Sequence, residues 1–360
     1  FGQIKRHQGA REPGGDHAIP IRCGLRAGND GRHQIGHDDR APEMAAFGGD
    51  GAQHVAIAQM QVPVIGTADR EAVHASRTSP LAPPWPEGQG ARMPDTSLMQ
   101  RVRGEAHVTL GRHGLRDLRQ AGSAKAILPR TDAPEPEVVF LNTAGGITSG
   151  DRLDYMLTLG SGARATAGTQ TAERAYRATD GPGRVVTTLK LGAGAHLDWL
   201  PQEIIAFEGC DLSRITQVEM AGDATYLGVD TVVLGREAHG ETLRAARLDD
   251  LRRITRDGVP LHIEHLTLGP DMLNDPACLG GARAMATLVM AGPAVSDALG
   301  PLRAVLSAQD VTAHASAWDG RLVARFLSRH PAPLRRALVS AILTLRGRPM
   351  PRVWQCEVTT

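Results

Sequence analysis

A chain of 360 residues is long enough for about two domains and for a full hydrophobic core. Its 40 Lys and Arg against 39 Asp and Glu leave a net charge of +1 with no dense basic run, which argues against a nucleic-acid footprint. The cysteines, Cys23, Cys210, Cys278 and Cys356, form no C-x-x-C, and no apolar run approaches the ~18 residues of a membrane span, so the expectation is a soluble cytoplasmic protein without a zinc knuckle or disulfide framework.

Residues 1–98 show neither the period of a strand nor that of a helix. Six of the fourteen histidines lie here: His7, His17, His33, His37, His54 and His74. A His-rich metal-binding arm is one reading, but only His33 and His37 come as close as i and i+4. Pro80, Pro83, Pro84 and Pro86 form a linker-like stretch. The chain opens on Phe1, whereas Met93 and Met99 sit just before patterned sequence begins. The expectation is a disordered extension over 1–98, explained by an upstream start of translation, and one β-rich domain over 99–360.

From Arg101 the pattern changes. Val102, Ala106, Val108 and Leu110 predict a strand that turns at 111–114. Residues 122–129 read as a turn into a short strand ended by Pro129. The apolar Val138-Val139-Phe140-Leu141 leads into Asn142-Thr143-Ala144-Gly145-Gly146-Ile147-Thr148-Ser149-Gly150-Asp151, and Leu153, Tyr155, Leu157 and Leu159 then alternate with polar residues. That is strand, glycine turn, strand, with a tight turn closing a hairpin as its plainest form. Segments 184–191, 195–200, 213–220 and 224–234 predict further strands separated by Gly-rich turns, as do 254–268 and 282–290. Two helices follow. Residues 295–308 place Leu299, Leu302 and Leu306 on one face; residues 333–345 place Leu334, Leu338, Ala341 and Leu345 on one face, with Gly347 just beyond. Many short strands and two late helices mean a mainly β fold, either a β-sandwich or a helical stack of strands.

The glycine stretch has the G-x-x-x-x-G spacing of a phosphate loop at Gly145 and Gly150, but Asp151 stands where that loop needs Lys, and a strand follows instead of a helix N-terminus. His262-Ile263-Glu264-His265 looks like a metal motif. In a strand, however, His262 and Glu264 share a face and His265 points away. Cys210 would need a partner such as His196 to act as a nucleophile. The remaining polar candidates are carboxylates set in apolar or turn sequence: Asp151, Glu173, Asp198, Glu203 and Asp230. A carboxylate beside Trp199 and Leu200 is costly to bury unless it is paired or bound to metal.

Taken in order, these stretches resemble the urease accessory protein family UreD, also called UreH. Arg103-Gly104 with Gly122-Ser123-Ala124-Lys125 is similar to the family's opening, and Leu141 to Asp151 to its GG-x-x-x-GD motif. Thr169 to Arg177 resembles a stretch ending in Tyr-Arg, with Glu173-Arg174 where a Lys is common. Leu197-Asp198-Trp199-Leu200-Pro201-Gln202-Glu203 resembles its most recognisable block. Leu234-Gly235-Arg236 with Gly240-Glu241, and Pro351-Arg352-Val353-Trp354-Gln355, also match. The resemblance implies a non-enzymatic, β-rich chaperone that binds apo-urease and UreF, which recruits the GTPase UreG. It implies nickel in transit, no tightly bound cofactor, and GTP on the partner only. Asp151, Glu173 and Glu203 are the expected nickel-transit residues, and Trp199, Gln202 and Trp354 the expected partner-binding residues. The competing class is a small-molecule enzyme on a β-sandwich using Asp198, Glu203 or Cys210.

Overall fold

The computed structural model describes residues 101–355 apart from 132, 237 and 238, so the expected extension over 1–98 and its histidines lie outside the described residues. The chain opens with a hairpin, β1 (Arg103–Gly111) and β2 (Gly114–Gly122), where the sequence pattern showed only the first strand. β3 (Ala124–Ile127) and β4 (Glu137–Asn142) pair antiparallel. The glycine stretch then leads to β5 (Arg152–Leu159). It closes no hairpin: β4 and β5 lie in different sheets, and the stretch carries the chain from one to the other.

From β5 the chain winds. β6 (Arg164–Thr169) lies in the second sheet and is followed by the short β7 (Glu173–Ala175). β8 (Gly183–Leu191) returns to the first sheet, β9 (His196–Trp199) and the short β10 (Ile204–Ala206) to the second. β11 (Asp211–Met220) and β12 (Thr225–Leu234) complete a third turn. Each turn lays a strand in each sheet, parallel to the strand laid one turn earlier. The crossings stack too. The Gly162 N–H donates to the Ala193 carbonyl at 2.8 Å, and the Gly194 N–H to the Asp223 carboxylate at 2.8 Å. A Cβ on Gly192 would stand 3.0 Å from the Ser161 nitrogen, so any other residue would press the crossings a few tenths of an ångström apart.

β13 (Arg247–Arg256) and β14 (Val259–Leu268) form a hairpin about Asp257-Gly258 where the pattern suggested a single strand. Two short helices, α1 (Pro270–Asn274) and α2 (Pro276–Leu279), precede β15 (Ala284–Ala291). α3 (Leu299–Leu306) follows a 3-10 turn over 295–298. β16 (Thr312–Trp318), β17 (Arg321–Ser328) and α4 (Pro331–Arg346) follow, and a 3-10 turn over Arg352–Trp354 finishes the described chain. The first sheet runs β14-β13-β11-β8-β5-β1-β2; the second runs β16-β17-β15-β12-β9-β6-β4-β3, with β10 and β7 alongside β12. The mainly β expectation holds in the helical-stack form.

Three layers result. Inward side chains of both sheets, among them Val108, Leu157, Leu189, Leu197 and Leu212, make one apolar layer. The outer face of the second sheet packs Leu227, Val229 and Val233 against Leu302 and Leu306 of α3 and Leu334, Leu338 and Ile342 of α4. β12 is therefore covered on both faces, which is why Tyr226 to Leu234 carries a single charge, Asp230. α4 starts two residues before the sequence pattern suggested, with Pro331 in its first turn, where a missing N–H costs nothing. It stops at Gly347, whose left-handed backbone (φ 61°) lets its N–H donate to the Leu343 carbonyl at 2.9 Å.

Candidate functional site

The second sheet is broken along one line. β12 pairs with β9 through Thr225–Gly228 and with β10 through Val232–Leu234; between those two strands Leu200-Pro201-Gln202-Glu203 leaves the ladder. The neighbouring strand breaks at the same level, between β6 and β7, over Gln170-Thr171-Ala172. Pro201 lacks an N–H and cannot continue a ladder. Gly168 admits the Leu200 carbonyl, which would stand 2.3 Å from any Cβ placed there. The freed backbone finds partners across the break. The Gln202 N–H donates to Thr169 Oγ1 at 2.9 Å, and the Glu173 N–H to the Glu203 carbonyl at 2.9 Å.

Carboxylates sit on both faces of this break. Glu173 lies on the side between the sheets, within electrostatic reach of Tyr155, in a cavity of about 70 Å³ lined by Phe140, Asn142, Thr169 and Gln170. That is room for about two water molecules. Burial pushes the Glu173 carboxyl up to about 7, against the smaller opposing pull of the Asn142 amide at 3.4 Å. Glu203 lies on the helix side, where Arg335 of α4 approaches it at 3.4 Å and donates to the Gln202 side chain at 2.9 Å. Asp151 closes the glycine stretch, which runs beside β7. Its two oxygens accept the Val102 N–H at 2.8 Å and the Thr148 N–H at 2.9 Å, joining the start of β1 to the turn.

The expected partner-binding residues are covered by their own chain. Trp199 is buried against Phe140, ring centroids 6.0 Å apart. Trp354 is buried, donates its indole N–H to the Leu200 carbonyl at 2.9 Å, and lies beneath the Arg335 guanidinium. Gln202 donates to the Val353 carbonyl at 3.0 Å. Gln202 and Trp354 together hold residues 351–355 over the break.

The enzyme candidates do not converge. Asp198 is held by Arg346 at 2.6 Å, Arg348 at 2.5 Å and His196 at 3.2 Å. Cys210 is buried with its thiol near the Arg247 carbonyl, and burial pushes it up to about 12, far from a thiolate at neutral pH. β14 turns His262 and Glu264 inward and leaves His265 exposed beside Asp249, as the strand reading of that motif required.

Sequence reasoning missed a second cluster, enclosed between the sheets. Asp250 meets Arg214 at 2.6 Å and Arg252 at 2.5 Å; Asp230 meets Arg214 at 2.9 Å; Glu264 meets Arg252 at 3.0 Å and Arg325 at 2.9 Å. Three arginines balance three carboxylates, which makes burial tolerable. Burial opposes the Asp250 charge, yet the two arginines hold it down at about 2. For Asp230 burial wins and its carboxyl is raised. The signal lay in the alternation: Arg214 follows Leu212, and Asp250 and Arg252 stand between Leu248 and Ile254, all on the core face.

A family model described as the UreD urease accessory protein matches residues 101–355. The chain belongs to the UreD family. The urease accessory protein UreD of Cereibacter sphaeroides (strain ATCC 17025) is 52% identical over 272 residues, covering 74% of this chain and 99% of that protein. Those of Paracoccus denitrificans and Rhizobium leguminosarum bv. viciae are 50% and 41% identical, over 93% and 96% of their own lengths, so the matched region spans nearly a whole UreD protein. Membership of this family gives the chain a role in urease maturation. Among the described residues no helix is long and apolar enough to cross a membrane.

Proposed function

We propose that this UreD protein is a cytoplasmic, non-enzymatic scaffold that binds apo-urease and UreF, is joined through UreF by the GTPase UreG, and passes nickel toward the urease active site across the break in its second sheet. The carrying observation is the pair of carboxylates on opposite faces of that break, Glu173 between the sheets and Glu203 beneath α4. An ion shedding part of its water shell needs replacement oxygens along its way, and isolated carboxylates release it more readily than a closed set of four ligands. Among the described residues Glu173 is held by an amide and not by an arginine, so its oxygens can be given to a passing cation. Asp151 braces the glycine stretch beside it. No cofactor stays bound, and GTP belongs to the partner. Trp199, Gln202 and Trp354 contribute to partner binding by fixing the surface made of the break, α4 and residues 351–355.

Reconstitution with apo-urease, UreF, UreG, GTP and nickel tests this. Glu173→Gln should leave the complex intact in a pull-down and lower the nickel content of urease severalfold by mass spectrometry. Full loading with Glu173→Gln and Glu203→Gln combined would remove the route.

A further inference from the structure

We infer that two copies of this chain pair through β2, doubling the seven-stranded sheet. Among the described residues β2 is the outermost strand of that sheet, hydrogen-bonded on one side only, to β1, and eight of its nine residues are exposed. A strand in this position presents a row of free N–H and C=O groups to any chain that can match it. The other free edges are poorer templates. β14 carries Pro260, which has no N–H to give, β3 is four residues long, and β16 has no charge to set a register.

The β2 sequence complements itself. Its register with β1 sets Leu118 opposite the buried Val108, and so on the core face, while Asp117 and Arg119, opposite Thr109 and His107, lie on the outer face. Place a two-fold axis at Leu118 and run the second β2 antiparallel. Asp117 of each copy then faces Arg119 of the other, twice, and the two Leu118 side chains, each 38% exposed in the single chain, meet on the apolar side. Moving the axis to 117 or 119 sets like charges against each other, and the axis at Leu118 alone pairs Asp117 with Arg119. Asp117 has no ion-pair partner among the described residues, and Arg119 has only an exposed bridge to Glu105 at 3.1 Å, so both are free to make the contact.

Sedimentation velocity of the full chain over a concentration series tests this. A monomer–dimer equilibrium is expected. Asp117→Arg and Arg119→Asp should each set like charges opposite twice and weaken it by roughly tenfold or more. The double variant D117R/R119D should recover the parental affinity. An equimolar mixture of the two single variants should form a heterodimer, because each supplies the charge the other lacks; that recovery also shows that both are folded. A chain that stays monomeric throughout, a dimer indifferent to the single reversals, or a loss that neither the double variant nor the mixture restores would each overturn the inference.

Discussion

Glu173 is the residue whose environment differs most from what its type prefers. In the unfolded chain its carboxyl ionises near 4.5, in the fold near 7. Between those values the folded state keeps a proton that the unfolded state has lost. Its contribution to stability is therefore greatest below pH 4.5 and falls as pH rises through 7, by on the order of 3 kcal/mol. Glu173→Gln removes that slope, so the gap between variant and parent in urea midpoint should widen in the variant's favour from pH 5 to pH 8. A constant gap would mean that the carboxyl is solvated. Asp151 predicts the opposite sign of effect. Its oxygens serve two backbone N–H groups, and Asp151→Asn leaves one of them facing an amide donor, a loss of about 1–3 kcal/mol at any neutral pH, read as a lower melting temperature. The sequence marked both as carboxylates in unlikely company. It could not tell them apart, because what separates them is whether a backbone N–H or a cavity faces the oxygens, and that is set by chain segments far away in sequence.

At the scale of elements, alternation was readable wherever one face of a strand meets the core, as in β5 and β8. It failed in β2, which is exposed on both faces, and in β10, which is three residues long. It also failed at the glycine stretch, since a turn that changes sheets uses the same residues as a turn that closes a hairpin. α4 was legible from its spacing and its end signals alone. Its packing predicts that Leu338→Ala, at a fully enclosed position against the second sheet, costs about 2–5 kcal/mol and lowers the melting temperature accordingly. Trp354→Ala removes an indole hydrogen bond and the Arg335 stack from the covering tail. It should loosen residues 351–355, read as faster amide exchange at Gln202 and Val353, and, because Trp354 is buried in the same layer as Leu338, cost about 3–5 kcal/mol. Unchanged exchange at both amides would mean that other contacts hold the tail.

For the whole molecule, the enclosed charge cluster ties β11, β12, β13, β14 and β17 across both sheets. Arg252→Met strands Asp250 and Glu264 without one of their cations and should cost about 3–5 kcal/mol in chemical denaturation. Replacing Arg214, Asp230, Asp250 and Arg252 together by apolar residues of similar volume should cost far less, because no charge is left unpaired. The three-layer build has a consequence for how such a chain is made. Val229 of β12 and Leu338 of α4 belong to one apolar layer, yet roughly 110 positions separate them in the order of synthesis. A ribosome adding about 5–20 residues per second leaves the outer face of β12 without its α4 cover for some 5–20 seconds. Through that interval the nascent chain shows an aliphatic surface that its own last two long helices, α3 and then α4, are shaped to cover. A truncated message, a rare-codon pause before residue 331, or a frameshift late in the gene would strand it there, and the product would be an aggregate with most of its strands already in place.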